Sequence, residues 1–129
     1  MVQWYCKRYR LFDRPYLTWL DSPTDEALAA AMASVDIGVQ LRVPTKGETS
    51  AVVGQLLAIG QKVIVTGEGS YTELPDGLVT KVSAAVNAAS LAKAIEAAVE
   101  APVPADAMSA IAAHSQGAFE ARIRKILGF

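Results

Sequence analysis

The sequence has one cysteine, Cys6, and one histidine, His114. A single cysteine excludes an internal disulfide and any cluster held by several thiolates. It fits a reducing compartment, so a cytoplasmic setting is expected. Charge is sparse: 19% of residues are charged, and 12 cations against 13 carboxylates leave a net −1. No global pull towards nucleic acid or an anionic surface follows from that balance. No apolar run reaches the ~18 residues that a membrane-crossing helix needs. The basic residues near Met1 are not followed by the apolar core of a signal peptide. No G-x-G-x-x-G stands between a first strand and a helix, which argues against an oxidoreductase-type dinucleotide domain. No metal-ligand cluster is visible, and no metal or cofactor is expected.

What is present is a chain of 129 residues, 52% apolar, enough for one domain with a packed core. Its centre is Pro44-Thr45-Lys46-Gly47-Glu48-Thr49-Ser50 and the helix this stretch opens, expected over Ala51 to Ile59. Val35 to Leu41 is an apolar run that feeds into it, and Lys62 to Thr66 is one that leaves it. That order is strand, loop, helix, strand, the unit of a parallel α/β sheet. Ligands of such sheets bind where a strand ends and a helix begins, because the helix N-terminus offers free N–H groups and partial positive charge. Glu48 and Gln55 are seven apart, about two helical turns, which puts them on one face. With Gly47, Thr49 and Ser50 they suit a ligand carrying phosphates and hydroxyls.

Along the chain, Met1 to Arg14 mixes Trp4, Tyr5, Tyr9 and Phe12 with Lys7, Arg8, Arg10 and Arg14. Such a mixture can stack on nucleic acid. Because the rest is not basic, the expectation is an amphipathic helix or arm with solvated cations. Tyr16 to Leu20 reads as a short strand. Ser22 reads as the cap of a helix running to about Ala33, with Pro23 in its first position and Leu28 and Met32 on its buried face. Val35 to Leu41 reads as a strand covered on both faces, with Gly38 admitting another backbone closely. Gly60 terminates the central helix. Gly67-Glu68-Gly69-Ser70 forms a glycine-rich crest at the same sheet edge as the central loop. Leu78 to Val82 is a last strand, and Ser90 to Glu100 a helix with Leu91, Ile95 and Val99 inward. Asp106 caps a final helical region, bent or broken at Gly117, with Phe119, Ile123 and Ile126 inward. Glu68 and the cations around Arg122 read as solvated. Glu73 reads equally as a turn residue or a ligand contact. His114 reads as a surface or packing residue, and Cys6 as an inert small one.

In this order the pieces resemble the C-terminal, donor-binding domain of the retaining GT-B glycosyltransferases of family 4 (group 1). Ser22 to Ala33 looks like the family's helix before the donor strand, and Ser34 to Val39 like that strand. Pro44 to Ser50 looks like the donor loop, Leu57 to Thr66 like the following helix end and strand, and Gly69 to Pro75 like the next turn. The match covers most of Leu11 to Val99. It implies an α/β fold: a partial Rossmann-like, parallel sheet of about four strands flanked by helices. The chain would be one partial nucleotide-sugar-binding domain over 1–129, with an arm or helix at 1–15, a core at 16–100 and a helical region at 105–129.

The family carries two glutamates spaced one position wider than Glu48 and Gln55. By resemblance Glu48 is the catalytic residue, associated with the donor sugar. Gly47, Glu48, Thr49, Ser50 and Gln55 form the binding set, with Gln55 at the ribose position. Glutamine there keeps hydrogen bonding without charge. The implied partners are a nucleotide-diphosphate sugar as donor and a saccharide or lipid-linked acceptor held by an N-terminal domain this chain lacks. The family's basic pair for the diphosphate is not matched, so the chain reads as a fragment, inactive in isolation. Peripheral membrane association is also implied. The alternative is a non-catalytic Rossmann-like module that dimerises through its exposed sheet edge and N-terminal aromatic arm. No nucleic-acid partner is expected.

Overall fold

A computed structural model describes residues 2–42, 50–103, 109, 112–113 and 116–128. Two compact units divide at Ala30, inside a helix.

The first unit, Met1–Ala30, opens with helix α1 (Val2–Arg8). Arg10 takes a left-handed backbone (φ 52°) and leads into a 3-10 turn at Leu11–Asp13. Its guanidinium Nε donates to the Asp13 carboxylate at 3.0 Å. Phe12 and Trp19 meet edge to face, centroids 5.4 Å apart. The strand expected at Tyr16–Leu20 is not formed, and Tyr16 is 80% exposed. Aromatic and β-branched residues favour strands because they fit a pleated, half-buried surface. Among the described residues no neighbouring strand supplies one here. Helix α2 (Asp25–Ser34) is capped by Thr24, not Ser22: the Ala27 N–H donates to Thr24 Oγ1 at 3.2 Å. Asp25 and Glu26 then fall in the first turn, where carboxylates offset the helix's partial positive charge.

The second unit, Ala31–Phe129, holds the sheet. Strands β1 (Ile37–Gln40), β2 (Lys62–Thr66) and β3 (Thr80–Val82) are all parallel, in the order β1-β2-β3. The sheet therefore has three strands among the described residues rather than about four. It is an α/β arrangement, compatible with a Rossmann-like fold. Helix α3 (Ala51–Ala58) joins β1 to β2. It ends in a paired-bond cap around Gly60 (φ 80°): Gln61 N donates to Leu56 O and Gly60 N to Leu57 O. Only a residue free to adopt positive φ closes a helix this way without strain.

Side chains alternate across a strand, and β2 sorts accordingly. Val63 and Val65 join Val53, Leu56 and Leu57 of α3 in the core cluster, with Met32 packed beside it. Ile64, fully buried, points the other way, as does Lys62, whose ammonium donates to Val99 O of α4 (Ala88–Glu100) at 2.8 Å. So α3 covers one face and α4 the other. Val39 pairs with Ile64 but stays 43% exposed, so β1 is less covered than a strand buried on both faces. Gly38 is approached by a side chain, not a backbone: an added Cβ would overlap Leu56 Cδ1.

Helix α4 is capped by Asn87, whose Oδ1 accepts from Ser90 N at 2.9 Å. Ala98 is its buried residue, and Val99 is 55% exposed. The expected stripe fails at its third member because steps of four overshoot a 3.6-residue turn, so eight residues beyond Leu91 the chain has left the face. Helix α5 (Gln116–Leu127) begins one residue before Gly117, and residues 114–115 ahead of it lie outside what is described. Ile123 and Ile126 are exposed, not inward. Asp106 and His114, and the side chains of Phe119 and Arg122, lie outside what is described. Among the described residues no helix is long and apolar enough to cross a membrane.

The Gly38–Leu56 approach makes a prediction. Gly38→Ala should lower stability by about 1–3 kcal/mol through overpacking. In a Leu56→Ala background, itself costing about 2–5 kcal/mol, the same change should cost much less. Urea unfolding of the four proteins measures the coupling, and strict additivity would refute the packing account.

Candidate ligand-binding edge of the sheet

The carboxyl ends of the strands lie where Arg42, Ser50, Gly67 and Ser83 follow or flank the sheet. Thr66, the last residue of β2, is buried at 1% exposure. Its Oγ1 accepts the Arg42 N–H at 3.0 Å, which ties the exit of β1 to the end of β2. On the other side Gly67 N donates to Val82 O at 2.9 Å. The ends of all three strands are thus cross-linked by hydrogen bonds just beyond the ladder.

Ser50 is the buried N-cap of α3, with an extended backbone, and its Oγ accepts from Val53 N at 3.5 Å. The N–H groups of Ala51 and Val52 have no intrahelical acceptor, as at any helix start, and carry the partial positive charge of that end. Of the residues expected at the site, Ser50 therefore stands at the helix mouth. Gln55 is exposed on the outer face of α3, about 7.5 Å further along the axis, while Val53, Leu56 and Leu57 hold the inner face. Gly47, Glu48 and Thr49 lie outside the described residues. The spacing expected to put Glu48 on one face with Gln55 involves a residue outside those described; the helix itself starts at Ala51.

The glycine-rich crest after β2 begins with a tight bend, Glu68 N donating to Thr66 O at 2.8 Å. It continues as a 3-10 turn at Gly69–Glu73, with Glu68 and Glu73 exposed. Tyr71 of that turn is buried in the α3-side core, and among the described residues its hydroxyl has no hydrogen-bond partner. Lys81 of β3 secures the whole connection. Its ammonium donates to Thr72 O at 3.3 Å, Leu74 O at 2.7 Å and the Asp76 carboxylate at 2.9 Å. Thr66, Tyr71 and Lys81 were not singled out from sequence. A hydroxyl ending an apolar strand, a tyrosine between glycines and a lone lysine in a strand are the signals that mark them.

A cavity of about 60 Å³ opens at the opposite end of the strands, lined by Leu57, Gly60, Val63, Leu78, Ala98 and Pro102 among others. Ligand pockets run to several hundred Å³, so it is too small for a nucleotide. Among the described residues no group of three or more His, Cys, Asp or Glu side chains comes together to hold a metal. The chain was compared with protein-family models, curated proteins and solved structures, and none matches.

Two substitutions should move stability in opposite directions. Thr66→Val keeps the shape but removes the acceptor for Arg42 N, and should cost about 1–3 kcal/mol. Tyr71→Phe removes an unsatisfied hydroxyl and should be neutral or stabilising by about 1 kcal/mol. Denaturant midpoints at constant slope read both. A large loss in Tyr71→Phe would mean that the hydroxyl has a partner.

Proposed function

We infer that the chain is the donor-binding part of a retaining GT-B glycosyltransferase of the family-4 (group 1) type. The observation that carries the reading is the run of parallel strands β1-β2-β3 with α3 opening at the carboxyl end of β1 behind the buried Ser50. Sequential parallel order is that of one half of a doubly wound sheet, whose ligands lie at the carboxyl ends. The motif order from Ser22 to Pro75 supports the same assignment.

In this reading the diphosphate of a nucleotide sugar lies against the N–H groups at the start of α3. That end stabilises the charge that builds on the departing diphosphate, which is where catalysis gains most. Gly47 lets the backbone come close to the phosphates, and Glu48 orients the donor sugar's hydroxyls. Thr49 and Ser50 complete the diphosphate side, and Gln55 takes the ribose. The acceptor, a saccharide or a lipid-linked one, is held by a second domain, and turnover needs both. No cofactor takes part, and the setting is cytoplasmic, at or near a membrane surface.

A second reading has its own support. Val39 and Leu41 leave apolar surface exposed along the edge strand β1, and uncovered edges pair with other chains. A non-catalytic module dimerising there uses the same fold without a donor.

Calorimetric titration of UDP, GDP and ADP tests the first reading. One nucleotide should bind weakly, and Glu48→Ala should weaken it about tenfold or more, the loss of a hydrogen bond to a charged group. No binding of any of the three, together with a dimer in sedimentation velocity, would replace the donor site with the interaction module.

A further inference from the structure

A helix with its side chains is about 10–12 Å across and strands lie about 4.8 Å apart, so one helix covers about two strands. On the face of the sheet that carries Lys62 and Ile64, that helix is α4. Val39 pairs with Ile64 and so stands on the same face, yet it is 43% exposed. Leu41, two residues on, is exposed as well. Beside α4, an apolar strip over β1 is therefore open. Its amino end is acidic. Asp36 directly precedes β1 and is exposed. The Lys62 bond to Val99 O brings the carboxyl end of α4 to the strand end that pairs with Ile37. There Glu96, Val99 and Glu100 stand at i, i+3 and i+4, all exposed. The carboxyl end of the helix adds its own partial negative charge. Of the nearby cations, Lys62 is engaged with Val99 O and Lys93 lies about a turn earlier on α4.

Helix α5 is the complement of this strip. Ile123 and Ile126, three apart and so on one face, are 38% and 77% exposed. Arg124 and Lys125 between them are exposed too. The charge of the whole chain divides the same way. Residues 1–30 hold four cations and four carboxylates and balance. Residues 31–115 hold five against eight, giving −3, and residues 116–129 hold three against one, giving +2.

We propose that α5 of a second copy of this chain seats on the strip beside α4, and that the two copies exchange these helices about a two-fold axis. Ile126, Val39 and Val99 all face solvent in the single chain, so α5 does not fill its own seat. The seat of a partner copy offers it both apolar surface and opposite charge. At 12 residues α5 is about 18 Å long, enough to run the length of β1. The exchange is isologous: each copy gives one helix and one seat, so the assembly closes at two. It uses a face of the sheet and not the backbone groups of the β1 edge, and it rests on neither function proposed above.

Sedimentation velocity of the full chain over a range of concentrations should show a monomer–dimer equilibrium. High salt should weaken it, because exposed charges are screened. The double variant Ile123→Asp, Ile126→Asp should weaken association about 100-fold or more, as two apolar side chains lose their burial. Glu96→Lys with Glu100→Lys should weaken it about tenfold, since the seat then repels Arg124 and Lys125. Adding Arg124→Glu and Lys125→Glu to that variant exchanges the signs and should restore the dimer. All six side chains are exposed, so far-UV circular dichroism should match the parent's. The charge-swapped chains keep the test standing if the aspartates unravel α5. A chain that stays monomeric at every concentration overturns the proposal. A dimer indifferent to the aspartates overturns it in favour of pairing along the β1 edge. A dimer that the sign exchange fails to restore overturns the seat beside α4.

Discussion

Burial of β2 on both faces is the constraint the second unit depends on. Val63, Ile64, Val65 and Thr66 are all essentially inaccessible. A strand so enclosed needs a layer on each side, and only a parallel sheet with crossover helices supplies both. The α3 layer sets one side through Val53, Leu56 and Leu57, and the α4 layer the other. Two edge strands then follow from the pairing of β2, since each flank accepts one neighbour. The carboxyl edge inherits its order from this: Thr66 is held rigidly enough to anchor Arg42 on one side, and Gly67 to meet Val82 on the other.

Some of this was legible in the sequence and some was not, for physical reasons. Lys62–Thr66 was read to the residue because four consecutive apolar or β-branched positions, Val63 to Thr66, stand between Gly60 and Gly67 and allow little else. The central helix was read almost to its ends because a serine opens it and a glycine closes it. Tyr16–Leu20 misled because strand propensity is a statement about a neighbour, and sequence does not say whether the neighbour exists. Ser22 misled because two hydroxyl residues compete for one cap, and Pro23 moved the start onwards. For the candidate site, Glu48 lies outside the described residues, and the capping role of Ser50 was not read from the sequence, although a serine just ahead of an apolar helix is the local signal for it.

The two units differ in how their side chains are satisfied. In the second, an apolar core is buried around β2, although Val39, Leu41, Val99, Ile123 and Ile126 stay exposed, and Lys62 and Lys81 find backbone carbonyls. In the first, apolar groups face solvent beside cations, and contacts are short in sequence: Arg10 with Asp13, Arg8 with Trp4, Phe12 with Trp19. A core of long-range contacts gives cooperativity, whereas local pairs of exposed groups contribute little to it. Folding free energy is therefore concentrated in residues 31–129.

Lys81 has a further consequence. An ammonium has three protons to donate, and here all three go to the connection between β2 and β3. That connection is thereby riveted to the sheet and travels with it as one piece. It forms a fixed wall beside the carboxyl edge, which cannot shift without breaking those bonds. Acylating that one amine would remove its charge and draw the rivet, turning a rigid wall into a hinged one.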